Sequence, residues 1–229
     1  MKKNNGQRRA YRLALAMIDA GIQLIAVDFD RTIVEVHTGG RWKQSSTSLS
    51  TKIRPFFEYF LKSAQRAGLW VAVVTFSPQT QLVADTMSIG LGGEQQIKRC
   101  FLRGEDGGWT RVTKAEGSWR HINLKQGKLG HIYSVVQHIQ KLTQQVRLSP
   151  QDVFYIDDDL RNVDIARQAG IIHSAWCPAT YEPISCGKLL MTELENKYLH
   201  AQPLKVLGNS ATKVEDDKDK KLTRTCLIM

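Results

Sequence analysis

The sequence predicts an α/β protein with a doubly wound, five-stranded parallel sheet. Three observations carry that prediction. Short runs of branched apolar residues recur without polar alternation, as in strands buried on both faces. Segments of helical periodicity alternate with those runs, the order of a parallel sheet with crossover helices. Aspartate or threonine follows directly on several of the apolar runs, at the strand ends where such sheets place their ligand sites.

Taken in order, Arg8 to Ala20 reads as an amphipathic helix closed by Gly21, and Ile22 to Val27 as the first buried strand. Thr38-Gly39-Gly40 reads as a tight hairpin turn and Lys43 to Thr51 as a loop. Ile53 to Ala67 has helical periodicity and stops at Gly68, before a second strand over Leu69 to Thr75. Pro78 to Ile89 is expected to be helical, with Thr75 or Ser77 as its cap and Pro78 in its first turn. Ile97 to Arg103 is the third strand, and Gly104 to Asn123 an excursion or hairpin carrying Trp109 and Trp119. A helix over Gly127 to Gln145, a strand over Val153 to Ile156, a helix over Leu160 to Gln168 closed by Gly170 and a strand over Ile171 to Ser174 complete the pattern.

The chain has 229 residues, 42% hydrophobic and 24% charged, which excludes wholesale disorder and fibrous classes. It divides into a basic N-terminal helix extension (1–20), a main domain (21–200) and a charged, flexible tail (201–229). No run approaches the 18 or so apolar residues of a membrane span. Cys100, Cys177, Cys186 and Cys226 form no metal-binding spacing. They point to a reducing, cytoplasmic setting rather than a disulfide scaffold or structural zinc. The net charge is +10, and Lys2, Lys3, Arg8, Arg9 and Arg12 meet no acid before Asp19. Such a surface attracts polyanions: nucleic acid, acidic lipid or phosphorylated substrates. Arg12 interrupts any apolar core of a signal peptide.

The chemistry gathers at the strand ends. The first strand runs into Asp28-Phe-Asp30-Arg-Thr32, the second into Thr75, and the fourth into Asp157-Asp158-Asp159 with Asn162 a turn later. Five carboxylates at one sheet edge repel one another unless a cation sits among them. Oxygen donors without His or Cys partners select Mg²⁺.

Asp28-x-Asp30-x-Thr32, Thr75, a lysine before the fourth strand, and Asp157-Asp158 resemble, in order, the four motifs of the haloacid dehalogenase (HAD) superfamily, over about residues 22–174. The resemblance implies a Rossmann-like, HAD-like fold and a phosphatase. Asp28 would be the nucleophile that forms an aspartyl-phosphate, and Asp30 the general acid and base. Thr32, Thr75 and the lysine would bind the phosphoryl group. Asp28, Asp30 (through its carbonyl), Asp157 and Asp158 would hold Mg²⁺. Lys128-Leu-Gly-His131-Ile132 and the run from Phe154 to Asn162 are similar to the corresponding motifs of the magnesium-dependent phosphatase branch. This favours Lys128 as the lysine, with Lys125 as the alternative. His131 reads as structural. The presence of Asp30 and Thr32 argues against dehalogenase chemistry.

Members of this superfamily select small substrates with a cap domain inserted after the first or second motif. Residues 29–74 hold only a hairpin, a loop and a helix, and the second slot only a strand and a short excursion. No large cap domain is expected. An open site suits a bulky phosphomonoester such as a phosphoprotein. Trp42, Trp109 and Trp119 in these excursions read as packing anchors first and groove residues second. A polynucleotide-end phosphatase is the enzyme alternative, favoured by the basic front but supported by no nucleic-acid motif. A non-catalytic HAD-fold binding protein is the alternative from another class. The chain closes on Cys226-Leu-Ile-Met229, a prenylation motif of the farnesyl type, with Lys218, Lys220, Lys221 and Arg224 upstream. A prenylated Cys226 and this basic tail would make peripheral contact with a cytoplasmic membrane face.

Overall fold

The computed structural model describes residues 2–93, 100–105, 115–144, 147–178 and 192–199. The expectations for Trp109, Cys186, Cys226 and the tail lie outside these residues. The described elements are α1 (Lys2–Asp19), β1 (Leu24–Val27), α2 (Ser46–Ser50), α3 (Pro55–Ala67), β2 (Trp70–Val74), α4 (Thr80–Leu91), β3 (Cys100–Arg103), α5 (Leu129–Thr143), β4 (Val153–Asp157), α6 (Leu160–Gln168) and β5 (His173–Trp176). A short helix, α7, follows over 192–198.

The five strands form one parallel sheet in the order β3-β2-β1-β4-β5. The chain winds outward from β1 through β2 to β3, then returns to the other side of β1 for β4 and β5. The order therefore reverses between β1 and β4, where an open α/β sheet leaves a crevice at its carboxyl edge. Every residue of β1 and β4 is buried, as their unalternating apolar sequence requires. The edge strand β3 is half-buried throughout.

Alternate strand residues feed two cores. Ile25, Val27, Val71, Val73, Phe154 and Ile156 face a layer containing Leu13, Ala14 and Met17 of α1 and Phe57, Phe60 and Leu61 of α3. Leu24, Ala26, Ala72, Val74, Val153 and Tyr155 face Ile132, Val135, Val136 and Ile139 of α5. Each such side chain contributes about 1.5–3 kcal/mol of transfer free energy when fully buried. The segment set apart by its charge, residues 1–20, thus adds apolar side chains to the first core. Trp119 is buried in the second, its indole N–H donating to the Leu148 carbonyl at 2.9 Å.

Several boundaries differ from the sequence reading. The segment read as a loop contains α2, because the Ser45 side chain accepts the Ser48 N–H at 3.1 Å and caps a single turn. Helix α4 begins at Thr80, two residues after Pro78, and its first residues carry no side-chain cap. Ser77 and Thr75 are spent on the turn itself: the Ser77 N–H donates to Thr75 Oγ1 and the Gln79 N–H to Ser77 Oγ. After Gly39-Gly40 no hairpin of strands forms; one antiparallel bridge, Val34 to Ile53, closes the excursion. Neither this excursion nor the described part of the second slot contains a further domain. No described helix is long and apolar enough to cross a membrane.

Candidate functional site

The register of the two central strands builds the site. Val27 pairs with Ile156, and the Asp28 N–H donates to the Ile156 carbonyl at 2.9 Å, so Asp28 sits beside Asp157. Val27 also pairs with Val73, which brings Thr75 to the same edge. Lys128, at the start of α5, completes the set. Its ammonium contacts Asp28 Oδ1 and lies 3.2 Å from Asp157 Oδ2. Lys125 is exposed and not part of this arrangement. Asp28, Asp30, Thr75, Lys128, Asp157, Asp158 and Asn162 share the lining of an open cavity of about 590 Å³.

Immediately after β1 the chain makes one irregular helical turn, Phe29–Ile33, in which Arg31 takes a left-handed φ of 57°. Such a conformation costs a non-glycine residue about 1–3 kcal/mol and persists only where the surroundings fix it. The Arg31 N–H donates to the Val36 carbonyl, which does so here. The turn tucks Thr32 behind Asp28. Thr32 is fully buried, donates its hydroxyl to Asp28 Oδ2 at 3.1 Å, and does not line the cavity. Asp30 stands half-buried at the cavity wall. Both of its oxygens lie 2.9 Å from the Thr38 hydroxyl, and His37 Nδ1 is 3.2 Å away.

The loop that carries His37 and Thr38 is pinned. Trp42 N–H donates to Gln79 Oε1 at 2.7 Å and Gln79 Nε2 to the Trp42 carbonyl at 3.1 Å. Gly40 has φ 66°, and a Cβ there would stand 2.6 Å from Pro78 Cδ. Only glycine lets the loop approach the start of α4 this closely.

Asp157 is fully engaged. Its Oδ2 accepts from the Tyr155 hydroxyl and from Asn162 Nδ2 at 3.2 Å, besides facing Lys128, while Oδ1 accepts the Asp159 N–H at 2.8 Å. Asp159 turns aside to cap α6 through the Arg161 N–H. Carboxylate oxygens of Asp28, Asp157 and Asp158 lie within 4.8 Å of one another. Burial, opposed by the Lys128 charge and reinforced by Asp157, raises the Asp28 carboxyl to about 7. Burial and Asp157 likewise raise Asp158. Burial pulls the Lys128 ammonium down, but Asp28 and Asp157 together outweigh it and hold the group above its ordinary value. Three carboxylates against one ammonium leave an excess of negative charge, so the cluster fits a hard divalent cation.

Sequence reasoning missed His37, Thr38 and Tyr155 as neighbours of the acids. His131 is buried on α5, edge-on to Phe76, and burial lowers it to about 4, which keeps it neutral. Phe76 is itself half-exposed at the cavity, its ring 5.2 Å from Lys128 Nζ.

No protein-family model matches the chain, and no curated protein matches it. Two solved structures of the HAD domain of the effector protein Lem4 from Legionella pneumophila, one of them an inactive mutant, are similar to it. Each is 12% identical with a TM-score of 0.42, and the matches cover 78% and 79% of this chain and 98% of that domain.

Proposed function

We propose that the chain is a Mg²⁺-dependent phosphomonoester hydrolase that works through an aspartyl-phosphate on Asp28. The observation that carries this reading is a buried carboxylate, Asp28, held against the Lys128 ammonium with Asp158 alongside, on the wall of an open cavity. A carboxylate attacks an anionic phosphate only where positive charge offsets their repulsion.

Asp28, Asp157 and Asp158 would hold the ion, joined by the Asp30 carbonyl that the resemblance implies. Asp157 also accepts from Tyr155, Asn162 and the Asp159 N–H, which steadies it beside Lys128. When bound, Mg²⁺ supplies charge neutralisation at the phosphoryl oxygens. The protein's own groups do the rest. Thr75 and Lys128 orient the phosphoryl group, and Thr32 holds the Asp28 carboxylate in its attacking rotamer. An Asp28 oxygen forms a bond to phosphorus as the bond to the leaving oxygen breaks, and Asp30 passes its proton to that oxygen. Asp30, now a carboxylate, takes a proton from water whose oxygen attacks the phosphorus. This frees Asp28 and inorganic phosphate. Thr38 and His37 hold the Asp30 carboxyl in place for both proton transfers.

The open mouth of the cavity among the described residues supports, as substrate class, a phosphate on a bulky carrier such as a protein. The test is phosphate release from an aryl phosphate and from phosphopeptides, with and without Mg²⁺, by the wild type and Asp28→Asn. Turnover that needs both the metal and Asp28 supports the reading. Mg²⁺ binding without turnover on any of these substrates would replace it with a binding role for the same site.

A further inference from the structure

A second cleft, of about 390 Å³, lies between α1 and α3 and shares no lining residue with the cavity at the sheet edge. Arg8, Lys62 and Arg66 line it together with Tyr11, Tyr59 and the buried Ser63, and no acidic residue does. Glu58 pairs with Lys62 at 3.1 Å from one side, leaving the cleft with a positive excess. The Arg66 guanidinium lies over the Tyr11 ring at 5.3 Å, which holds the charge extended along the wall. A site of this size and charge accepts a phosphorylated polar group.

We propose that the cleft between α1 and α3 binds the phosphorylated headgroup of an anionic lipid and docks this face of the protein on a membrane surface. Two further observations select a lipid over a nucleic acid. The Tyr11 ring is already engaged by the Arg66 guanidinium, so it makes a poor platform for stacked bases. Leu15 and Ile18 follow Tyr11 at spacings of four and seven on the same stripe of α1, and they are 40% and 37% exposed. A basic cleft continued by exposed aliphatic residues matches the boundary between headgroups and acyl chains.

The test is co-sedimentation of the 229-residue chain with three kinds of vesicle. These are phosphatidylcholine alone, phosphatidylcholine with phosphatidylserine, and phosphatidylcholine with a phosphatidylinositol phosphate. Binding is expected to the anionic vesicles and not to phosphatidylcholine alone. Each basic residue near the surface is worth about fivefold, so Lys62→Ala with Arg66→Ala should lower the partition coefficient about 25-fold. Removing the same charge at the exposed Lys141 and Arg147 should leave it within about twofold, and Arg66→Lys should retain most of it. Melting temperatures verify that each variant is folded. Equal loss in the two double variants, or none in the cleft variant, overturns the site. Binding of inorganic phosphate or of a single-stranded oligonucleotide at the cleft, without vesicle partition, overturns the lipid as its source.

Discussion

The carboxyl ends of β1 and β4 place two buried aspartates side by side on one lysine, yet the two are in different states. Asp157 accepts from Tyr155, Asn162 and the Asp159 N–H besides Lys128. Among the described residues Asp28 meets Lys128, the Thr32 hydroxyl and the neighbouring Asp158 carboxyl, and burial lifts it to about 7. The contrast separates a carboxylate saturated with hydrogen-bond donors from one with fewer of them. A saturated carboxylate holds its neighbours still. A carboxylate short of partners stores the electrostatic imbalance that a cation and a phosphate would relieve.

The sharpest way to break this contrast is Asp28→Asn. If Asp28 is the nucleophile, phosphatase turnover falls by about 10⁴-fold or more while the melting temperature stays level or rises. Residual activity within tenfold of wild type would assign the chemistry elsewhere. Asp30→Asn should cost about 10²–10⁴-fold, and less on substrates with acidic leaving groups that need no proton. A loss independent of the leaving group would remove Asp30 from the acid role.

Metal binding sharpens the comparison through pH. The Asp28 shift is upward from 3.8, so the metal-free fold loses that protonation-linked stability as pH rises from about 4 to about 7. A divalent ion competes with the proton on Asp28. Its thermal stabilisation should therefore grow between pH 6 and pH 8, reaching about 2.7 kcal/mol at a hundredfold excess over Kd. A shift equal at both pH values would show that the ion does not use Asp28.

The smallest effect belongs to the saturated side. Asn162→Ala removes one of several donors to Asp157 and should cost about 1 kcal/mol in chemical denaturation, with KM for an aryl phosphate changed less than threefold. A collapse of activity in this variant would mean that the Asn162 donor alone holds Asp157 in place.

Much of this was legible in the sequence because it is local. The unalternating apolar strands, Gly68 and its left-handed φ of 101°, and helix α6 over Leu160–Gln168 follow from residue-by-residue stereochemistry. Short-range capping decided the misread pieces instead. A Ser45 side chain turns a polar run into α2, and competition for Thr75 and Ser77 delays α4. The excursion lacked a pattern to read because its order comes from the distant Gln79 and Pro78.

At the site, the residue types and their strand-end positions were fixed along the chain, since a strand that ends in Asp28 or Asp157 must present it at the sheet edge. Which lysine arrives there was not, because Lys125 and Lys128 precede the same helix and only the packing of α5 on the sheet brings one of them to Asp28. The same holds for the partners of the acids. His37 and Thr38 reach Asp30 through a pinned loop, and Tyr155 reaches Asp157 because alternate residues of a strand share a face. Hydrogen bonds and charge act over a few ångströms in space, whatever the separation in sequence. Chain order therefore named the acids, and tertiary packing decided which of them is saturated with donors and which is not.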